Sequence, residues 1–468
     1  MRAVLRDNLQ ALTPQPPDVS SELAGARAIA VAAAAIALGH ALRYSNGALH
    51  PAALQWLTVV IVLAIAALLA PGLPRIDRRV GGWLVLVVGM GLAFQMGSHL
   101  TDPPGVQLRA SAAGYARHHV WIALGAVVAG GALSERPWSG RWSVPLLLGV
   151  HFVLGLWLLE ASPNPNIDVT VWHREALHAL GAGQNPYALT MPNIYGHTDW
   201  YAPGLADAAR VHVGYPYPPL SLLLAAPGHW LFGDYRYANL LALTASGWLL
   251  AYARPSGLSR GAAALFLFTP RMFFVLEQGW TEALAVLAMA AVVFCACRAP
   301  RTLPYAFGAL LATKQYFVLL APVAFLLAGS PFEWRGQLRF LGKAVATAAV
   351  LTLPFFVWNP AAFFRSVVMF QALQPFRPDA LSYLAATAEH GTPLLPLWIN
   401  IGAAAVAIGL GAWRAPRTPA GFALTAAVAF LLFFAFAKQA FCNYYFLIVG
   451  MLCCALATAA RPARGALR

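Results

Sequence analysis

Long apolar runs recur along almost the whole chain, separated mostly by short polar loops. Many of these runs approach the ~20 residues that a helix needs to cross the hydrocarbon core of a bilayer. The pattern therefore predicts an all-α polytopic membrane protein with about 12–14 transmembrane helices. The predicted apolar runs are Ala24–Leu42, Ala52–Ala70, Gly82–Gly97, Val120–Leu133, Val144–Glu160, Pro218–Phe232, Tyr237–Ala253, Ala262–Leu276, Glu282–Cys297, Pro304–Ala312, Phe317–Leu327, Leu341–Trp358, Leu394–Trp413, Gly421–Phe436 and Phe441–Ala459.

The composition supports this prediction, because 60% of the residues are hydrophobic and only 10% are charged. Soluble domains carry roughly 25% charged residues. A net charge of +14 would suggest nucleic acid as a partner of a soluble protein. Here most basic residues lie in short loops between apolar runs, as expected of cytoplasmic loops. We therefore expect membrane lipids, and no nucleic acid, as partners.

The N-terminal segment and the cysteines fit the same class of protein. Residues before Ala24 lack the hydrophobic core of a signal peptide, so the first apolar run is predicted to be a retained span. The cysteines lie inside apolar runs or at their edges and are predicted to be small apolar fillers, without a disulfide or metal role. They are Cys295, Cys297, Cys442, Cys453 and Cys454.

Loop charge orients the predicted helices, because one set of loops is consistently basic. Assigning these loops to the cytoplasm puts both termini inside and residues 161–215 outside. It also requires that residues 218–232 form a re-entrant or interfacial helix and that Lys314 marks an outward turn. If residues 218–232 span instead, Arg254 and Arg260 lie outside. The basic positions are Arg75, Arg78, Arg79, Arg136, Arg141, Arg254, Arg260, Arg298, Arg301, Arg335, Arg339, Lys343, Arg414, Arg417, Arg461, Arg464 and Arg468.

The chain is predicted to have three parts. Residues 1–143 form a cytoplasmic tail and four helices. Residues 144–329 form a central module with a large outer loop at 161–233, and residues 330–468 form the C-terminal helices with an outer loop at 359–393. A large outer loop rich in Trp and Tyr is more typical of a membrane enzyme than of a simple channel.

Candidate chemistry begins at Asp168, just beyond the span that ends at Glu160. A carboxylate at the membrane–water boundary can accept a proton from a sugar or lipid hydroxyl. Asp168 also opens a predicted amphipathic helix. The bland alternative is a solvated surface carboxylate. The loop continues with Gly183-Gln184-Asn185-Pro186-Tyr187 and closes with Tyr215-Pro216-Tyr217-Pro218-Pro219-Leu220.

These motifs together resemble the GT-C superfamily of integral-membrane glycosyltransferases, and within it the bacterial polyprenol-phosphate-mannose-dependent mannosyltransferases. The resemblance covers Val144 to Gly329 and is faint afterwards, apart from Asn443-Tyr444-Tyr445. It implies a GT-C-like bundle that takes a sugar from a polyprenyl-phosphate donor on the outer face. The first four predicted spans have no counterpart in that family's usual plan.

The resemblance also implies roles for individual residues. Asp168 takes the place of the catalytic base, with Asp199 and Asp207 in the same loop as competitors. Lys314 takes the place of a lysine that faces the lipid phosphate, although Gln315 follows it where the family commonly has Pro. Glu282, in Gly279-Trp280-Thr281-Glu282, stands on a turn where relatives often carry Gly-Gln-x-Asn. Glu282 is predicted to contact the sugar, with helix capping as its alternative.

Further binding residues are predicted from position and chemistry. Arg236 and Arg365 are candidates for the donor phosphate, and Arg377 is a candidate for the same phosphate or for lipid headgroups. Sugar or acceptor binding is predicted for Tyr187, Tyr217, Trp280, Asn443 and Tyr444. The alternative for the aromatic residues is the aromatic belt at the membrane interface.

The histidines of the first outer loop match no tight zinc pattern. No cofactor is predicted, and a divalent metal has no support from the sequence. Neither a Walker A motif nor a Rossmann glycine motif occurs in a strand–helix context, so nucleotide-sugar use is unsupported. The loop histidines are His173, His178, His197 and His212.

The expected function is inverting transfer of a mannose-like hexose from a polyprenyl-phosphate donor to a lipid, glycan or protein acceptor. We expect a multi-pass protein of the bacterial inner membrane with its site facing the periplasm or exterior. The rival class is a transporter or lipid flippase, which tends to show paired repeats and a midplane site. No repeat is evident in this chain. A non-catalytic assembly subunit is a third alternative.

Overall fold

The computed structural model describes residues 25–70, 78–134, 137–328 and 333–459. These residues are mostly helical, and a two-residue antiparallel pair (β1, Met191–Pro192; β2, Arg210–Val211) is the sheet within them. The helices are α1 (Ala26–Arg43), α2 (Pro51–Leu69), α3 (Arg78–Thr101), α4 (Ala112–Ala132), α5 (Pro137–Ala161), α6 (Asp168–Gly181), α7 (Pro219–Phe232), α8 (Arg236–Ala253), α9 (Gly257–Leu267), α10 (Met272–Gln278), α11 (Glu282–Arg298), α12 (Leu303–Leu311), α13 (Trp334–Trp358), α14 (Pro360–Phe364), α15 (Phe370–Leu373), α16 (Tyr383–Ala386), α17 (Ile399–Arg414), α18 (Pro419–Ala435) and α19 (Cys442–Ala457).

Five of these helices are long and apolar enough to cross a membrane: α1, α2, α13, residues 80–101 of α3 and residues 140–161 of α5. Several shorter apolar helices, including α7, α9, α18 and α19, accompany them. An all-α, membrane-type protein is therefore confirmed, whereas the span count and the orientation stay predictions. The predicted N-terminal tail and the basic positions Arg75, Arg136, Arg461, Arg464 and Arg468 lie outside the described residues.

Two predicted apolar runs differ in the structure. The run Ala262–Leu276 was predicted as one helix, but the chain breaks between α9 and α10. Pro270 cannot donate a main-chain hydrogen bond, and Arg271 adopts a left-handed conformation with φ 69°. The predicted run Phe317–Leu327 is also different, because it lies in a 3₁₀ helix over Gln315–Leu327 that contains Pro322. Both changes shorten the helices that lead toward the site.

One apolar core joins the described N-terminal helices to the rest of the bundle. Helices α9, α18 and α19 lie at its centre and are buried on nearly every face. Helix α1 packs on α2 and α19, while α2 also packs on α18. The predicted unit of residues 1–143 thus shares its core with the central module.

A carboxylate attaches the loop after α3 to the centre of the molecule. Glu277, fully buried at the end of α10, accepts hydrogen bonds from the main-chain N–H groups of Val106 (2.7 Å) and Gln107 (2.9 Å). A β-carbon on Gly105 would lie 2.5 Å from this carboxylate. The loop can therefore approach Glu277 so closely only with glycine at position 105.

A second, smaller core lies under the first outer loop and packs α6, α7 and the β1–β2 pair against residues of α13 to α15. Helix α7 runs beside α6 and has 14 residues, or about 21 Å, which is short for a bilayer core of about 30 Å. Residues just beyond its two ends, Tyr217 and Arg236, both contact outer-loop segments or the turns beside them. Whether residues 218–232 span the membrane or lie at its interface stays a prediction.

Candidate active site

Asp168 is the first residue of α6, as the sequence predicts. Its main-chain N–H donates to the Tyr195 hydroxyl at 3.1 Å. Burial raises the pKa of the Asp168 carboxyl to about 6, while a hydrogen bond from the Val169 amide and the positive charge of Arg377 act in the opposite direction. A carboxyl with this pKa is largely ionised at pH 7 and is still basic enough to take a proton.

The two competing carboxylates are in different surroundings. The Asp199 side chain is 85% exposed and lies 3.6 Å from His197. Asp207 is also exposed, and it accepts hydrogen bonds from the main-chain N–H groups of Ala209 and Arg210 in the turn before β2. Of the three candidates, Asp168 is the one that is half-buried and has a raised pKa.

Lys314 and Glu282 form a buried ion pair, with 2.9 Å between Nζ and Oε1. Their side chains are 4% and 0% exposed. The ammonium also lies 4.2 Å from the centre of the Tyr217 ring, a cation–π contact. The buried Tyr316 hydroxyl faces the Glu282 carboxylate, whose second oxygen, Oε2, has no other protein partner in the described structure. A ligand hydroxyl that bonds to this carboxylate would therefore compete with Tyr316.

The predicted base and this ion pair face the same aromatic side chains. Asp168 and Glu282 both act electrostatically on Tyr217 and on Tyr444. Tyr444 packs on Phe434 with ring centres 4.6 Å apart. Asn443, the residue before it, is buried at the start of α19. The structure thereby brings together five residues from separate parts of the sequence. This shared group consists of Asp168, Lys314, Glu282, Tyr217 and Tyr444.

Gln315 follows Lys314 at the position where the GT-C family commonly has Pro. Its Nε2 donates to the carbonyl oxygens of Pro216 (2.8 Å) and Val367 (2.9 Å). Pro216 belongs to the loop at residues 161–233, and Val367 belongs to the segment at residues 359–393. Gln315 therefore links both segments to the turn that presents Lys314, and a proline has no side-chain donor for this task.

Arg236 takes a different role from the one predicted. All three of its guanidinium nitrogens donate to protein oxygens, including the Asp234 carboxylate and the carbonyls of Glu277 and Ser162. The residue is 1% exposed. A phosphate at this position would have to displace these partners. The contacts therefore favour a structural role, in which Arg236 holds α8 against Ser162, just after α5, and against Glu277 at the end of α10. We call this set of contacts the Arg236 clamp.

We expect Arg236→Lys to lower the free energy of unfolding by about 2–4 kcal/mol, because one ammonium cannot replace a fork that reaches three segments. Chemical unfolding in detergent would measure this loss. Arg174→Lys is the matched control, since Arg174 is exposed on α6 and pairs only with its neighbour Glu175. A variant at position 236 as stable as this control would contradict the clamp.

The other predicted contacts are partly corrected. Tyr187 is 1% exposed, and its hydroxyl donates to the Tyr217 carbonyl at 3.0 Å, so it supports Tyr217 from within the second core. Trp280 is half-buried and packs edge-on against Phe274. Arg365 is exposed, and its side chain has no hydrogen bond or ion pair to another described residue. Of the predicted phosphate ligands, Lys314 is therefore the one within the shared group.

Three contacts near Asp168 were missed from the sequence. Tyr195 bonds to its main chain, and Arg377, treated only as a phosphate or headgroup contact, acts on its carboxyl. Arg377 stacks on Trp200 at 4.7 Å and pairs with Asp379 at 2.7 Å. His173 lies buried under the first turn of α6. Tyr195 and Arg377 have no local sequence signal, because they are distant from Asp168 along the chain, whereas the four-residue spacing of Val169 and His173 on α6 could have been noticed.

The described residues contain no cluster of three or more His, Cys, Asp or Glu side chains that could hold a metal ion. Comparison of the chain with protein-family models, with curated proteins and with solved structures finds no match in any of the three. The assignment of a reaction therefore depends on the chemistry of the shared group and on the motifs that resemble GT-C enzymes.

Proposed function

We propose that this protein is a GT-C-like glycosyltransferase that moves a hexose from a polyprenyl-phosphate donor to a lipid, glycan or protein acceptor. The observation that carries the proposal is the pairing of a half-buried carboxyl, whose pKa is raised to about 6, with a buried lysine across shared tyrosines. General-base chemistry needs the first and a phosphate leaving group needs the second.

In the proposed reaction, Asp168 accepts the proton of the acceptor hydroxyl. The acceptor oxygen attacks the anomeric carbon, and the bond from that carbon to the phosphate oxygen breaks with inversion. The phosphate leaves with the bonding electron pair, and the Lys314 ammonium stabilises its developing charge. The Glu282 carboxylate, which the Tyr316 hydroxyl faces, supplies an acceptor for a sugar hydroxyl. Phosphate is a good leaving group, so no strong general acid is required.

The proposal includes a location and a wider fold. We place the protein in the bacterial inner membrane as a bundle of about 12–14 transmembrane helices, with the shared group facing the periplasm or exterior. In support, Asp168, Glu282 and Lys314 each lie at a helix end or turn that the charge pattern puts outside. The donor there is membrane-bound, which suits a site without a nucleotide-binding motif.

Purified protein in detergent, given radiolabelled polyprenyl-phosphate sugars and a membrane-lipid extract, tests the proposal. We expect transfer from at least one such donor and none from nucleotide sugars. Lipid movement across reconstituted vesicles without any new glycosidic bond would instead support the flippase alternative. Transfer only from a nucleotide sugar would contradict the proposed donor.

We also expect the transfer rate to depend on pH through Asp168. Since the unprotonated carboxylate is the base and its pKa is raised to about 6, the active form is lost as pH falls through 6. The rate should reach a plateau above pH 7 and drop about tenfold per pH unit below 6. Values of kcat/KM from pH 4.5 to 8 would measure this, and a profile that stays flat down to pH 5 would exclude the assignment.

A further inference from the structure

His173 lies at the centre of a buried hydrogen-bond chain between α6 and α7. Its Nδ1 is 2.9 Å from the Val169 carbonyl oxygen, and its Nε2 is 2.9 Å from the Tyr215 hydroxyl. That hydroxyl lies 2.9 Å from the Ser221 hydroxyl. His173, Tyr215 and Ser221 are each 0% exposed. The chain therefore has no access to solvent that could exchange its partners.

The carbonyl at one end of the chain fixes the direction of both hydrogen bonds that the His173 ring makes. A carbonyl oxygen only accepts, so Nδ1 carries the proton that goes to Val169. In a neutral ring Nε2 then accepts, and the Tyr215 hydroxyl donates to it. The Ser221 hydroxyl donates to the Pro218 carbonyl at 2.8 Å, and Tyr215 competes with that carbonyl for its single proton. Donation thus runs from Tyr215 to the imidazole ring, and from the ring to the first turn of α6.

The surroundings of the ring favour the neutral form that this direction requires. Burial lowers the pKa of His173 to about 3, the Lys314 charge acts in the same direction, and the bond to Val169 opposes both. The ring stacks on Tyr235 at 4.2 Å and lies beside Tyr217. Its ring neighbours are therefore tyrosines, and Lys314 is the charged side chain that acts on its pKa.

The chain connects the two halves of the shared group. Val169 directly follows Asp168, while Tyr215 lies two residues before Tyr217, whose ring is under the Lys314 ammonium. We propose that His173, as its Nδ1–H tautomer, is a positioning residue that holds the first turn of α6 at a fixed distance from the Lys314 turn. The inference rests on the proposed function, in which that distance separates base and leaving group.

The tautomer can be tested without any sugar transfer. In ¹⁵N-histidine-labelled protein in detergent, the signals absent from His173→Phe identify the ring. We expect a protonated Nδ1, an unprotonated Nε2 and no titration between pH 5 and 8. An Nε2–H tautomer, or an imidazolium at pH 7, would overturn the proposal whether or not the protein is an enzyme.

Kinetics test the positioning role. Tyr215→Phe removes the donor to Nε2, and we expect kcat to fall about tenfold or more with KM for the donor unchanged, since misplaced reacting groups slow the step itself. Ser221→Ala, a milder change at the end of the chain, should lower kcat less. His178→Phe is the matched control, because His178 is exposed on the same helix. An unchanged kcat in Tyr215→Phe would overturn the role.

A wild type that transfers no sugar would instead refute the proposed function. The positioning role would then be judged by the Asp168 carboxyl, followed through its ¹³C signal. A loosened first turn admits water, so the pKa of Asp168 should fall from about 6 toward its ordinary value in Tyr215→Phe. An unmoved titration in that variant would overturn the inference independently of activity.

Discussion

Replacing Asp168 with Asn is expected to reduce sugar transfer by about 10²–10⁴-fold, the range that a lost general base costs. The amide keeps the size of the carboxyl and can still accept hydrogen bonds at the start of α6, but it cannot take the acceptor proton. The measurement is transfer from the polyprenyl-phosphate sugar that wild type uses best, at a pH above 7. Thermal unfolding of the variant would establish that it is folded.

Asp199→Asn is the matched control for this experiment, because it makes the same chemical change in the same outer loop on an exposed side chain. We expect its transfer rate to equal that of wild type. If Asp168→Asn keeps full activity while folded, Asp168 is not the base. Loss of activity in both variants would point to a general effect of loop charge.

Removing either partner of the Lys314–Glu282 pair is expected to lower the free energy of unfolding by about 3–5 kcal/mol. Lys314→Met leaves a buried carboxylate without its cation, and Glu282→Leu leaves a buried ammonium with only the Tyr217 and Tyr316 rings. Desolvation of the remaining charge has no compensation in either variant. Chemical unfolding in detergent micelles would measure the loss.

The double variant separates the ion pair from the packing around it. With Lys314→Met and Glu282→Leu together, no buried charge remains, so stability should recover most of what either single change loses. Transfer should nevertheless stay abolished, because the proposed leaving-group cation is gone. Additive destabilisation in the double variant would show that the two side chains do not compensate each other. Transfer by the stable double variant would exclude Lys314 from the reaction.

Helix positions and the chemical candidates could be predicted because their signals are local. The start of α6 at Asp168 follows from an amphipathic pattern, and the starts of α8 and α11 lie within a residue of those predicted. Lys314 was singled out because a lysine at an outer helix end opposes the charge bias. The helix break at Pro270 was not predicted, because this proline lies within a continuous apolar run.

The partners of the site residues could not be predicted, since they depend on packing between distant segments. The guanidinium of Arg236 has the chemistry of a phosphate ligand, but in the structure it binds the carbonyl oxygens of Ser162 and Glu277. No sequence pattern near position 236 indicates these partners. Likewise, the spacing of the loop histidines matches no tight zinc motif, but it does not reveal that His173 bonds to Tyr215. Pairing in three dimensions decides between ligand and scaffold for such residues.

The bond between Glu277 and the loop at Val106 also has a consequence for biosynthesis. Chains emerge from the ribosome N-terminus first, so the two amide donors are made about 170 residues before the carboxylate that they bind. Glu277 can therefore enter a partly assembled bundle that already offers its partners. A chain translated without the first four helices would insert the same carboxylate with no donor waiting. We therefore expect the early helices to guide the assembly of the later ones.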